Sequence, residues 1–315
     1  MKDPGSTAVS PFLAYAVYGW FANGGGDCWV AGAGEGGPHT GYEAALAALP
    51  AATPRWTIVV VPDLWETQDD GAAIAKMVAR HCADARNRMA LLHTAQDAEP
   101  GKVPALLDLD PEEAQFTTVY HPWLHVSAGG GAKDKVVPPS GHVAGTWART
   151  DNEQGVHMAP TDVGIREANG LERTLTDAEQ GELNDAGVNC LRAFPGQGLL
   201  VCGARTLATD PEWRNLHVRR LANHLWTSIA QGTGWAVFEQ NDERLHATVR
   251  ASVTSFLADQ WRCGALKGET ADQAFHVTCD AGNNPGQGTD SGQIVIDVGF
   301  AAARPAEFTT IRITR

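Results

Sequence analysis

The chain predicts an α/β domain of three-layer type, built on a central, partly parallel sheet, followed by a smaller α+β domain. Three observations carry this reading. A β-branched run, WTIVVVP at 56–62, precedes a helix-like stretch over about 70–85 and a second apolar run at Met89–His93, which is the order of a β-α-β unit. From residue 210 onward helical periodicity takes over, and two short alternating segments close the chain. The 315 residues, 43% of them hydrophobic, suffice for two cores. We place the boundary so that residues 1–199 form the first domain and 200–315 the second.

The elements follow in order. PFLAYAVYGWF (11–21) has apolar side chains at helical spacing, Asn23–Gly26 ends that helix, and Cys28–Ala31 is expected to resume as a strand. Gly24–Gly26 is not a phosphate loop, because no helix bearing Lys-Ser/Thr follows it. The 56–62 run reads as a strand buried on both faces, and its following loop carries no glycine fingerprint for a dinucleotide. Residues 96–113, rich in Asp, Glu and Pro, read as a surface excursion before the strand 116–123, and SAGGGAKDK (127–135) as a loop tip. Asp210 as N-cap and Pro211 at the first helical position start a helix whose Leu221, Leu225 and Ile229 repeat every four residues up to Gly232. GTGWAVFE (232–239) is strand-like and puts Trp235 in the core. A second helix runs from Asp242 to Gly264 with Leu245, Val249, Val253, Phe256 and Leu257 on one face. Thr270 and Gln273 form a capping-box pattern for a short third helix. Ile294, Ile296 and Val298 alternate as a strand, as do Ile311 and Ile313.

Bulk chemistry removes several function classes. A net charge of −13 and a pI near 5.2 argue against nucleic acid as a partner; the local exception is Arg205, Arg214, Arg219 and Arg220, within sixteen residues. The longest apolar run falls far short of the ~20 residues of a membrane helix, and no apolar segment follows a basic start, so neither anchor nor secretory signal is expected. The six cysteines lack zinc-knuckle spacing and sit in apolar settings, which points to reduced, buried thiols. Ser140 and His142 are too close in sequence to be triad partners, and no GxSxG elbow is present; we read them as structural, with Pro138 and Pro139 stiffening a turn and His142 hydrogen-bonded in a packed loop. His121 and His125 have helical metal spacing but lie in a strand-like segment, where four residues span about 13 Å. His217 and His224 stand two helical turns apart. No catalytic residue, cofactor or metal is expected.

A positive reading comes from longer blocks: VVPPSGHVAGTWARTDNEQGVHM (136–158), GVNCLRAFPGQGLLVCGARTL (187–207), WRNLHVRRLANHLWTSIAQGTGWAVFEQND (213–242), WRCGALKGETADQAFHVTCD (261–280) and PAEFTTIRIT (305–314). In order and spacing they resemble the sheath protein of contractile tails, shared by contractile-tailed phages and phage-tail-like injection systems. The resemblance implies a subtilisin-like but non-catalytic main domain, a conserved C-terminal domain, and a structural protein that polymerises as stacked six-subunit rings around an inner tube and contracts. Implied partners are further sheath subunits, the inner tube protein, and baseplate and terminator proteins. Assembly would take place in the cytoplasm, and the product would be part of a phage tail or injection-system particle.

By the same resemblance, a charged helix faces the tube, making Arg214, Arg219 and Arg220 docking candidates; the other reading of these arginines is a solvated helix face paired with Glu212. Trp213, at the expected helix start, is the interface aromatic. Sheath subunits link through terminal strands added to a neighbour's sheet, so Phe308, Thr309, Thr310, Ile311, Arg312, Ile313 and Thr314 are linking-strand candidates. The family usually has some tens of residues before the segment equivalent to PFLAYAVYG, whereas ten precede Pro11 here. The expectation is then defective self-assembly, with a non-polymerising cap or adaptor at a sheath end as the alternative role.

Overall fold

The structure is a computed structural model that describes residues 10–32, 38–49, 56–66, 70–97, 99, 102–128, 133–284 and 293–315. It divides into two compact units, Met1–Arg219 and Arg220–Arg315. In chain order the elements are α1 (Leu13–Ala22), α2 (Pro38–Ala48), β1 (Ile58–Val59), α3 (Gly71–Ala85), β2 (Met89–His93), α4 (Val103–Leu107), α5 (Pro111–Ala114), β3 (Thr117–His121), β4 (Leu124–Val126), β5 (Lys135–Val137), α6 (Ser140–Gln154), β6 (Val163–Gly164), β7 (Gly170–Leu171), α7 (Asp177–Asp185), β8 (Val188–Phe194), β9 (Gly198–Cys202), α8 (Leu216–Gly232), α9 (Glu243–Arg262), α10 (Ala271–Ala274), β10 (Phe275–Thr278), β11 (Val295–Phe300) and β12 (Thr309–Thr314).

The first unit is organised by a six-stranded sheet in the order β1-β2-β3-β8-β9-β6. The pairs β1–β2, β2–β3 and β3–β8 are parallel, while β8–β9 and β9–β6 are antiparallel, so the sheet is partly parallel as expected. Every residue of β2 and β3 is buried, the pattern of strands covered on both faces. β1 is shorter than the run at 56–62 suggested and forms an edge. Buried Asn189 locks the sheet's centre. Its Nδ2 donates to Thr118 Oγ1 (2.8 Å), to the Val119 carbonyl (3.2 Å) and to the Arg205 carbonyl (2.9 Å), and its Oδ1 accepts from the Arg205 N–H (2.8 Å). Such full satisfaction is what makes a buried amide tolerable.

The SGHVAG segment is a helix rather than the packed loop expected of it, and its glycines explain its composition. Gly141 and Gly145, one turn apart on α6, face α1 at backbone contact. A Cβ on Gly141 would lie 2.4 Å from the Ala16 Cα, and one on Gly145 would lie 2.5 Å from the Trp20 carbonyl oxygen. The approach is sealed at the end of α1. Arg149 Nη1 donates to the Asn23 carbonyl (3.0 Å) and Nη2 to that of Gly164, while the Arg166 N–H donates to Asn23 Oδ1 (2.8 Å). Because backbone atoms cannot yield as a flexible side chain does, Gly141→Ala should cost about 3 kcal/mol, the upper part of the overpacking range. A urea unfolding midpoint equal to that of the unsubstituted protein would refute this account of the α1–α6 contact.

The second unit packs α9 on a three-stranded antiparallel sheet in the order β10-β11-β12. α9 starts as expected: Asp242 accepts the Leu245 N–H (2.8 Å), and Leu245, Val249, Val253 and Leu257 are buried. Beyond its last turn Gly264 takes the left-handed conformation (φ +82°) that only glycine adopts without strain.

Several local expectations are corrected. Cys28–Ala31 forms no strand, and Trp29 and Val30 are exposed. The 96–113 excursion contains α4 and α5; α5 is held by an Asp110–Glu113 capping box, and Val103 and Leu107 are buried. Residues 129–132 of the expected loop tip lie outside the described residues. α8 begins at Leu216, not after Asp210. The stretch before it pairs with residues 204–206 instead: the Thr206 N–H donates to the Arg214 carbonyl (2.9 Å) and its Oγ1 to the Trp213 carbonyl (2.7 Å), while the Leu216 N–H donates to the Ala204 carbonyl (3.0 Å). Asp210 instead accepts the Glu212 N–H in a tight turn (2.9 Å). GTGWAVFE is a 3₁₀ turn over Gly234–Phe238, so only Ala236 faces inward; Trp235 is 40% exposed and not in the core, and Phe238 is 90% exposed. The Thr270–Gln273 box does not form, because Gln273 Oε1 accepts the Glu269 N–H instead (3.0 Å).

Candidate assembly surfaces

β12 is the terminal strand of its sheet and pairs with β11 only, leaving one edge open among the described residues. Its burial alternates, with Thr309, Ile311 and Ile313 inside and Thr310, Arg312 and Thr314 outside. The hydrogen bonding has the same period. Ile294 and Arg315 exchange both N–H···O bonds (2.6 and 2.8 Å), and with the register Ile296↔Ile313, Val298↔Ile311 and Phe300↔Thr309 this makes 309, 311, 313 and 315 the residues bonded to β11. The N–H and C=O groups of Thr310, Arg312 and Thr314 therefore point to the open edge, which is a template for a further strand. Arg312 bridges to Asp297 on β11 through Nε (2.7 Å) and Nη2 (3.1 Å); hydrogen bonding from Arg312 and Asn283 holds the Asp297 carboxyl below its usual range. With Arg312 largely exposed the pair adds little stability, but it fixes the long side chain away from the strand's open side chains and amides. Phe308, at the entry to β12, meets His276 of β10 edge-on at 4.8 Å.

The arginine cluster is divided. Arg214 is exposed, but Arg219 and Arg220 are 6% and 4% exposed, which corrects the expectation of a solvated helix face. The Arg219 guanidinium lies 4.0 Å from the Trp213 ring and 4.6 Å from the Phe116 ring, and Nη1 donates to Gln115 Oε1 (2.9 Å). Burial, reinforced by Arg86 and opposed by Glu212, brings its pKa down to about 9, still charged at neutral pH. Trp213 thus has an intramolecular duty as one wall of a cation–π slot.

The rival chemistries find no geometry. Ser140 and His142, both buried, lie two residues apart on α6, where side chains do not face each other. The His142 ring packs on Gly19, whose added Cβ would come 2.4 Å from Nδ1. His121 Nδ1 shares a proton with Thr94 Oγ1 (2.8 Å), and His125 lies on the next strand. No group of His, Cys, Asp and Glu among the described residues is arranged to hold a metal ion, and no described helix is long and apolar enough to cross a membrane.

Comparison with known proteins then identifies the class. The phage tail sheath central domain matches residues 37–207 and the phage tail sheath C-terminal domain matches 208–314. The chain belongs to the phage tail sheath family. The tail sheath protein of Vibrio phage KVP40 is 27% identical over 183 residues, 57% of this chain but only 26% of that protein, so the chain spans about a quarter of that relative's length. Among solved structures, a chain of the anti-feeding prophage baseplate superposes with a TM-score of 0.77 at 29% identity, covering 99% of this chain and 83% of that one. A chain of the contracted sheath complex of PVC, an extracellular contractile injection system, gives 0.74 at 28% identity, covering 96% and 80%. The mixed-sheet domain followed by a smaller domain with an antiparallel sheet is the architecture read from the sequence.

Proposed function

We propose that this protein is a structural subunit of a contractile sheath, without enzymatic activity. It stacks as six-subunit rings around an inner tube and shortens when a baseplate releases it, as part of a phage tail or injection-system particle assembled in the cytoplasm. The observation that carries this reading is the likeness over nearly the whole chain to sheath and baseplate chains of contractile systems, two of them contracted sheaths. Contraction fits rigid units that change partners at their surfaces, since both cores here are densely buried and the open features are edges and exposed side chains. Partners would be further sheath subunits, the tube protein, and baseplate and terminator proteins, with Arg214 the exposed docking arginine. Electron microscopy of the protein produced with its tube partner tests this: striated tubes of larger diameter than the bare tube support it, and tubes left undecorated beside soluble subunits refute it.

The linking strand makes a sharper expectation. Thr310→Pro removes an edge-facing N–H that β11 does not use, and proline is tolerated at such edges. Ile311→Pro removes an N–H bonded to β11. The first variant should keep its thermal midpoint within a few degrees yet lose sheath assembly; the second should lose both. Normal sheaths from Thr310→Pro would show that subunits do not join through this edge.

A further inference from the structure

Cys190 and Cys202 are direct cross-strand partners in the antiparallel β8–β9 pair, both thiols are free, and both are buried, at 0% and 6% exposure. Residues so paired carry their side chains on the same face of the sheet, with Cα atoms about 4.5–5.5 Å apart. A disulfide needs Cα atoms about 4.4–6.8 Å apart, so the backbone of this register already lies within range. We infer that Cys190 and Cys202 form a latent disulfide, a redox-sensitive staple across the central sheet that closes by exchange with a low-molecular-weight disulfide such as oxidised glutathione.

The remaining thiols are differently placed. Cys82 is enclosed in α3, Cys279 lies just past β10 in the other unit, and Cys28 and Cys263 are exposed. The staple would be slow to form, as suits a reserve. Burial and the neighbouring Cys202 push the Cys190 thiol up to about 12, and burial and Asp162 raise Cys202 against the pull of Arg192, so thiolate is scarce while the sheet is closed. Cys202 is the entry point, being the less buried of the two and lying beyond the stretch of β9 that β6 covers, Leu200 and Val201.

The chemistry balances without any further reagent. The Cys202 thiolate attacks one sulfur of oxidised glutathione, forming a mixed disulfide and releasing one glutathione thiolate. The Cys190 thiolate then attacks the Cys202 sulfur, forming the Cys190–Cys202 bond and releasing the second glutathione. Two protein thiols lose two protons and two electrons, which the glutathione disulfide takes up as two thiols. The result ties β9 to β8 covalently, closing only the short hairpin between them and raising the unfolding midpoint of the first unit.

The test uses the folded full chain carrying Cys28→Ser and Cys263→Ser, incubated in mixtures of oxidised and reduced glutathione, denatured in alkylating agent and digested. We expect a linked peptide pair containing Cys190 and Cys202, reversed by excess reduced glutathione and accompanied by a higher thermal midpoint. Adding Cys190→Ser should leave Cys202 as a glutathione adduct, and adding Cys202→Ser should leave no linked pair. Three results would each overturn the inference: both thiols still alkylatable under a ratio that fully modifies Cys28 of the unsubstituted chain, a link that forms only after urea is added, or a link from either cysteine to a different one.

Discussion

Lowering the pH from 7 to 5 should remove about 6 kcal/mol from the stability of the first unit. Among the described residues its three most deeply buried imidazoles, those of His93, His121 and His142, are 1%, 3% and 1% exposed, and burial lowers their pKa values to about 3, 4 and 4. Around His121, Arg173 reinforces the effect and Glu179 opposes it; around His142, the Glu167 backbone and carboxylate oppose it. All three folded-state values lie below the ~6.5 of an unfolded chain, so the unfolded state takes up protons first as the pH falls. The stabilisation is therefore complete above pH ~6.5 and is lost as the pH drops toward 4. At pH 5 each histidine accounts for about 2 kcal/mol, and a loss of this size rivals the whole stability of many domains. Urea unfolding followed by circular dichroism at pH 7 and 5 measures it. Equal midpoints, or imidazole proton resonances that titrate near pH 6.5 in the folded protein, would show that these rings are not held neutral by the fold.

What the sequence disclosed depended on how local the cause was. β2, α9 and β12 were legible because their burial follows directly from period: a five-residue apolar run, a four-residue repeat closed by Asp242 and Gly264, and strict alternation at 309–314. The start of α8 was not, because Asp210 and Pro211 are good local signals that lose to the pairing of 213–216 with 204–206. Trp235 was misplaced for a related reason: alternation over GTGWAVFE suits a strand, but the chain has only a short connection between two helices in which to turn, and a 3₁₀ turn exposes the large side chains.

The same limit divides the candidate assembly surfaces. The linking strand could be picked out by composition and position, but its lying at an edge, with Thr310, Arg312 and Thr314 offering their backbone outward, is a property of sheet order. The two glycines of SGHVAG did carry a readable signal, four-residue spacing on one helix face, which marks the close approach of another backbone once the segment is known to be helical. For the cysteines, the spacing of 190 and 202 says nothing until the turn at 195–197 sets the register.

Arg219→Glu should unfold the first unit rather than merely weaken a docking surface. The substitution removes a guanidinium that fills the slot between Trp213 and Phe116 and satisfies Gln115, and it puts a carboxylate in the same low-dielectric space. Taking a carboxylate out of water into a protein interior costs on the order of several kcal/mol, and the lost stacking and the lost bond to Gln115 add to it. Arg219→Lys keeps the charge but loses the flat face that stacks between two rings, so it should cost about 1–2 kcal/mol. Arg214→Glu, at an exposed position, should leave the unfolding midpoint within about 0.5 kcal/mol of the original. The comparison separates the roles of two arginines five residues apart in sequence. If tube decoration falls with Arg214→Glu while folding holds, the exposed arginine is a docking residue; if Arg219→Glu folds with an unchanged midpoint, the slot between Trp213 and Phe116 is not what holds this helix start in place.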